Sequence, residues 1–122
     1  MTYLFFKRIS ICVCLLFCNS LVFAQKTSVS DGRVDIGKVL HPGRVSYDED
    51  IQGYNLSGSG SNIWFGHDEL SFLWKKMKGD FILQARGSLV GKGVEPHRKY
   101  GWMIRSTFDT SSAMVCAALH GD

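Results

Sequence analysis

Beyond residue 24, no stretch of this chain keeps an apolar spacing of 3.6 residues for three turns. Its apolar residues come instead in runs of about five to seven, cut by glycines and small polar clusters. Such runs are too short for helices that pack on one another, and they suit short strands. All 13 glycines of the 122-residue chain lie after residue 24. Ten aromatics share that region: Trp64, Trp74, Trp102, Tyr47, Tyr54, Tyr100, Phe65, Phe72, Phe81 and Phe108. An all-β domain is the fold class this pattern predicts.

The first 24 residues are a different polymer. Lys7 and Arg8 close a short positive segment, and an apolar run follows from Ile9 to Phe23. Val22-Phe23-Ala24 then places small residues at the −3 and −1 positions before Gln25. This is the pattern of a secretory signal peptide cleaved after Ala24. The run is shorter than the roughly 20 residues a spanning helix needs, so no transmembrane span remains after cleavage. Cys14 and Cys18 follow Val13 and Phe17, which are too large for a lipid-attachment signal. The expected domains are a signal peptide over 1–24, a flexible leader over 25–34 and a sandwich over 35–122. The expected compartment is periplasmic or extracellular, at a bacterial envelope.

Removing Cys12, Cys14 and Cys18 with the signal leaves only Cys116, so no internal disulfide and no cysteine metal site are expected. Cys116 sits in an apolar run and reads as a buried structural thiol. Taking Lys7 and Arg8 from 14 basic residues leaves 12 against 11 acidic ones. That balance gives no electrostatic footprint for nucleic acid.

Strands are expected over 43–47 and 52–57, around the acidic turn Asp48-Glu49-Asp50, with a further short one over 62–65. Leu70, Phe72 and Trp74 alternate with Ser71, Leu73 and Lys75; a Met77-Lys78-Gly79 turn follows, then a second alternating run over 81–86. This pattern predicts a β-hairpin with Phe72, Trp74, Phe81 and Leu83 on one buried face. Residues 87–97 form a loop. Strands are predicted over 99–105 and 113–120, the last at an unpaired edge.

Most catalytic patterns fail here. Gly87 to Gly93 has three residues between its first two glycines, and Gly93 stands where a phosphate loop needs Ser or Thr. Gly58-Ser-Gly60-Ser lacks the third glycine of a dinucleotide fingerprint. No serine sits in a glycine-flanked elbow. No histidine pair has close ligand spacing, so no cofactor is expected, although calcium held by backbone oxygens suits a secreted sandwich. A glycoside hydrolase of this fold would use carboxylates such as Asp68 and Glu95, but no strand carries an alternating acidic pattern.

The most polar stretch, Glu95-Pro96-His97-Arg98-Lys99, leads into the strand ending at Arg105. If Tyr100, Trp102 and Ile104 face the core, Lys99 and Arg105 face outward. With His97, Arg98 and His120 they would line a polar groove suited to sugar hydroxyls or a carboxylate. The alternative is that Arg105 is a structural cation paired with an acid such as Asp80 or Asp109. Trp64, after a Gly/Ser loop, is the aromatic best placed to stack on a sugar ring.

The run Leu70-Ser-Phe-Leu-Trp-Lys-Lys-Met-Lys-Gly-Asp-Phe81, with Pro96-His-Arg-Lys, Gly101-Trp-Met-Ile-Arg105 and Ala118-Leu-His-Gly-Asp122, resembles a concanavalin A-like sandwich. More closely, it is similar to the N-terminal region of bacterial exported TolB-like proteins named for biopolymer transport. The resemblance covers roughly 35–122. It implies a jelly roll comparable to a lectin module, followed by a β-propeller, so this chain is expected to be the front part of something longer. It carries over no catalytic residues. The resulting expectation is a non-catalytic module that binds a polysaccharide or an envelope protein. The alternatives are a protein-interaction or spacer domain for a propeller, and a sandwich-fold hydrolase.

Overall fold

The computed structural model describes residues 29–121. The segment expected as a signal peptide and the start of the expected leader lie outside the described residues. Six strands follow in order: β1 (Gly32–Ile36), β2 (Arg44–Asp48), β3 (Gly53–Ser57), β4 (Leu70–Trp74), β5 (Lys99–Arg105) and β6 (Met114–His120). They form three two-stranded antiparallel sheets, β1–β4, β2–β3 and β5–β6. Among the described residues there is no helix, so the fold is all-β.

β2 and β3 form where the sequence places them. The Asp48 carboxylate accepts from the Asp50 and Ile51 amides at 3.0 and 3.4 Å, closing the turn between them. Tyr47 and Tyr54 stand directly opposite, with ring centroids 4.7 Å apart.

β4 does not form the predicted hairpin. Residues 81–86 form no strand, and β1 takes the place beside β4. Contacts of Asp31 and Gly32 with the end of β4 accompany the exchange. Asp31, just before β1, accepts from the Lys76 amide at 2.9 Å and lies 3.7 Å from the Lys75 ammonium. The Asp31 amide also donates to the Trp74 carbonyl at 2.8 Å. Gly32, directly opposite Trp74, leaves room for the indole. The leader expected over 25–34 therefore becomes strand at Gly32, and the boundary expected at Asp35 falls inside β1. Residues 62–65, the other predicted strand, form bends and turns.

Alternation along β1 and β4 puts Val34 opposite Phe72 and Ile36 opposite Leu70 on one face. Ile36, 1% exposed, is the one buried hydrophobic side chain among the described residues. The other face is polar. The Asp35 carboxylate there accepts from the Arg33 guanidinium at 2.6 Å and from the Gly43 amide at 3.1 and 3.2 Å. Phe108, in the loop after β5, ties this sheet to β5. Its ring lies 6.4 Å from Phe72 and 5.4 Å from Trp74, both tilted toward edge-to-face.

Candidate functional site

The β5–β6 ribbon carries most of the predicted site residues, and its register decides where they go. Tyr100 lies opposite Leu119, Trp102 opposite Ala117 and Ile104 opposite Val115. These six share one face. Lys99, Gly101, Met103 and Arg105 share the other with His120, Ala118, Cys116 and Met114.

Toward the Arg105 end of the ribbon, the burial of the two faces is the reverse of the expected one. Trp102, Ile104, Val115 and Leu119 are exposed, Val115 to 72%. Phe81 and Leu83 lie beside Trp102, Ile104, Val115 and Ala117 around a shallow cleft of about 260 Å³. They therefore face β5–β6 instead of completing a hairpin with β4. The Arg105 side chain is only 2% exposed. Cys116, a free thiol on the same face as Arg105, is half-buried.

Each of the three guanidinium nitrogens of the buried Arg105 side chain finds a partner. Its Nη1 lies 3.2 Å from Asp68 Oδ2, with the Asp68 side chain 4% exposed. Nε donates to the Thr107 carbonyl at 2.7 Å, and Nη2 donates to the Asp109 carbonyl. The Asp68 amide donates to the Thr110 carbonyl at 2.8 Å, so the loop after β5 and the approach to β4 are laced together. Of the two acids expected as structural partners, Asp109 contributes only its backbone, and the ion pair goes to Asp68. Nothing in the sequence marks Asp68 for this role, since 37 residues separate it from Arg105.

The remaining predicted residues divide between the two ends of the ribbon. Lys99 and His120 are paired directly across the strands, and the Gly121 amide donates to the Arg98 carbonyl at 2.9 Å. Arg98 turns its Nη1 to the Val90 carbonyl at 3.1 Å, and Glu95 caps the His97 amide at 3.0 Å. His97, Arg98, Lys99 and His120 thus gather at one end. Arg105 lies six residues further along an extended strand, roughly 20 Å away at about 3.3 Å per residue. Trp64 belongs to the Arg105 end. It is exposed beside the fully exposed Phe65, and its carbonyl accepts from the His67 amide, one residue before Asp68. The single groove expected from the sequence is therefore two separate places.

Two carboxylates are held in their ionised form. A hydrogen bond from the Arg33 side chain is the main influence lowering the Asp35 pKa, helped by Gly43 and Ser71 against partial burial. Glu69 is lowered chiefly by its hydrogen bond with the Ser61 side chain, then by the Ser61 amide and His67. A second shallow cleft, about 580 Å³, lies on β2–β3 beside Tyr47, Asp48, Glu49 and Tyr54. Among the described residues no three His, Cys, Asp or Glu side chains group to hold a metal, and no helix is long and apolar enough to cross a membrane.

No family model matches the chain, and no curated protein or solved structure matches it either.

Proposed function

We propose that the chain is an exported, non-catalytic binding module of the concanavalin A-like jelly-roll class. It docks a carbohydrate or another component of the cell envelope, in the periplasm or outside the cell, in the manner of the TolB-like N-terminal domains it resembles. The observation that carries this reading is the gathering of His97, Arg98, Lys99 and His120 at one end of β5–β6. Ammonium and imidazole groups on paired strands offer donors to hydroxyls and charge to a carboxylate. A uronic-acid glycan presents both. The two carboxylates a hydrolase would use favour the non-catalytic reading. Asp68 is tied to Arg105 at one end, and Glu95 lies beside His97 at the other. That spacing far exceeds the roughly 5–9.5 Å over which two carboxyls share a glycosidic bond. Calcium held by backbone oxygens is compatible with this module but is not needed for its recognition.

Isothermal titration against neutral and uronic-acid glycans tests the proposal. Binding is expected for the acidic set, weakening with salt and lost with Lys99→Ala and His120→Ala together. Absence of heat with every glycan would sink the sugar reading.

A second reading, a protein-interaction or spacer domain for a β-propeller, is favoured by the exposed face of Trp102, Ile104, Val115 and Leu119. Capture of an envelope protein that Trp102→Ser and Val115→Ser abolish, with glycans having no effect, would select it.

A further inference from the structure

The free edge of β6 carries a pairing code that can be read residue by residue. In an antiparallel ribbon, directly opposite residues alternate between pairs that exchange both backbone hydrogen bonds and pairs that exchange none. Ser106 donates to Ala113 and Gly121 donates to Arg98, each directly opposite its partner. These two bonds fix the phase for the whole ribbon. Val115, Ala117 and Leu119 turn their amides and carbonyls inward to β5. Met114, Cys116, Ala118 and His120 turn theirs outward, where no described residue receives them.

Native edge strands are normally blunted by lysines, prolines, bulges or shortness. β6 is seven residues, Met-Val-Cys-Ala-Ala-Leu-His, with no Lys, Arg, Asp, Glu or Pro. An edge with four consecutive outward pairs and no blunting residue is a template for a further strand.

We propose that β6 pairs with β6 of a second copy of this chain, antiparallel about a two-fold axis through Ala117. Two β5–β6 ribbons then become one four-stranded sheet. The sequence of β6 matches itself in this register. Ala117 meets its own copy at a pair without hydrogen bonds, where strands come closest and a small side chain is wanted. Val115 then faces Leu119, Cys116 faces Ala118, and Met114 faces His120. Each pair is apolar, or has a single histidine, and no like charges oppose. The outward groups of Met114, Cys116, Ala118 and His120 all fall at hydrogen-bonded positions, so about eight bonds close across the axis. A two-fold contact of this kind is closed, so it stops at a dimer. The apolar face of Trp102, Ile104, Val115 and Leu119 runs on across the seam.

The test uses the full chain, by light scattering for mass and amide hydrogen exchange for pairing. The expected result is twice the single-chain mass. Amides at Cys116 and Ala118 should exchange at least about 100-fold slower than an unpaired edge would. Ala118→Pro removes an outward amide only, since edge strands tolerate proline there. It should give a monomer in which Val115, Ala117 and Leu119 stay protected. Ala118→Cys brings a second thiol opposite Cys116 of the other copy, at about 5.5 Å between Cα atoms, within disulfide reach. Mild oxidation should then yield a covalent dimer even if the proline variant fails to fold. A monomeric chain overturns the proposal, and so does protection of Cys116 and Ala118 in a monomer, which would mean that the chain's own residues cover the edge. A dimer that forms no covalent link with Ala118→Cys overturns it equally.

Discussion

The Arg105 guanidinium lies 3.2 Å from the Asp68 carboxylate, with both side chains almost wholly removed from solvent. Removing one member of a buried pair strands the other charge in a poorly solvating place. Asp68→Leu or Arg105→Met alone should therefore lower the unfolding free energy by about 3–5 kcal/mol. Domains of this size hold only about 5–15 kcal/mol in total, so much of the stability is at stake. The paired change Asp68→Leu with Arg105→Met should cost less than either single change, because no charge is left behind. Urea unfolding of the four proteins measures the coupling. Additive losses would mean that the pair contributes through packing alone.

Acid should act on Asp35. Its carboxyl is held below the ordinary value, first by the Arg33 hydrogen bond. A group whose folded pKa is depressed adds stability that is fully present above its unfolded value, near 3.9. That contribution is lost as pH falls through the unfolded value toward the lower folded one. The melting temperature should therefore decline below about pH 4. Asp35→Asn should melt lower at pH 7 and show a shallower acid decline. An unchanged acid slope in that variant would assign the decline to other carboxylates.

These two ion pairs show what a sequence discloses and what it hides. Strands β2, β5 and β6 are legible because alternation is local, and Asp48 announces its turn within three residues. The alternation of β4 is equally plain, but its partner is not. Leu70–Trp74 could pair with 81–86 or with 32–36, and the contacts that accompany the observed choice join Asp31 to Lys75 and Lys76 from about 45 residues away. The two faces of β5 are readable as sets, yet which one is buried depends on Asp68, and no local pattern points to it. The run His97-Arg98-Lys99 is legible because it is contiguous in sequence, whereas His120 joins it only through the β5–β6 register. Separating it from Arg105 needed only the length of the strand.

Two glycines hold the segment that aims Asp68. Gly37 has φ of +73°, and a Cβ there would press on the Asp68 carbonyl and on Glu69 Cγ. A Cβ at Gly60 would collide with the Glu69 carbonyl. Gly66 also has positive φ, at +70°, but opens onto free space. Gly66→Ala should cost about 1–2 kcal/mol, the usual cost of a left-handed alanine. Gly37→Ala and Gly60→Ala should cost more, because backbone must also move. Thermal melts of the three variants check the order. Equal losses would show that the 68–69 backbone yields freely.

Placing Lys99 and Trp64 at opposite ends of β5 makes a prediction about ligands. A short acidic oligosaccharide, two or three rings long, cannot reach from one end of a strand of roughly 20 Å to the other. Lys99→Ala should weaken its binding several-fold, with a smaller dependence on salt, because a charge contact has gone. Trp64→Ala should leave the affinity for the short glycan unchanged. A chain of six or more rings can span both places, and for it both variants should weaken binding, with losses that add. Titration of short and long glycans of one composition against the two variants reads this directly. Loss of short-glycan binding in Trp64→Ala would place the tryptophan in the same subsite as the cations.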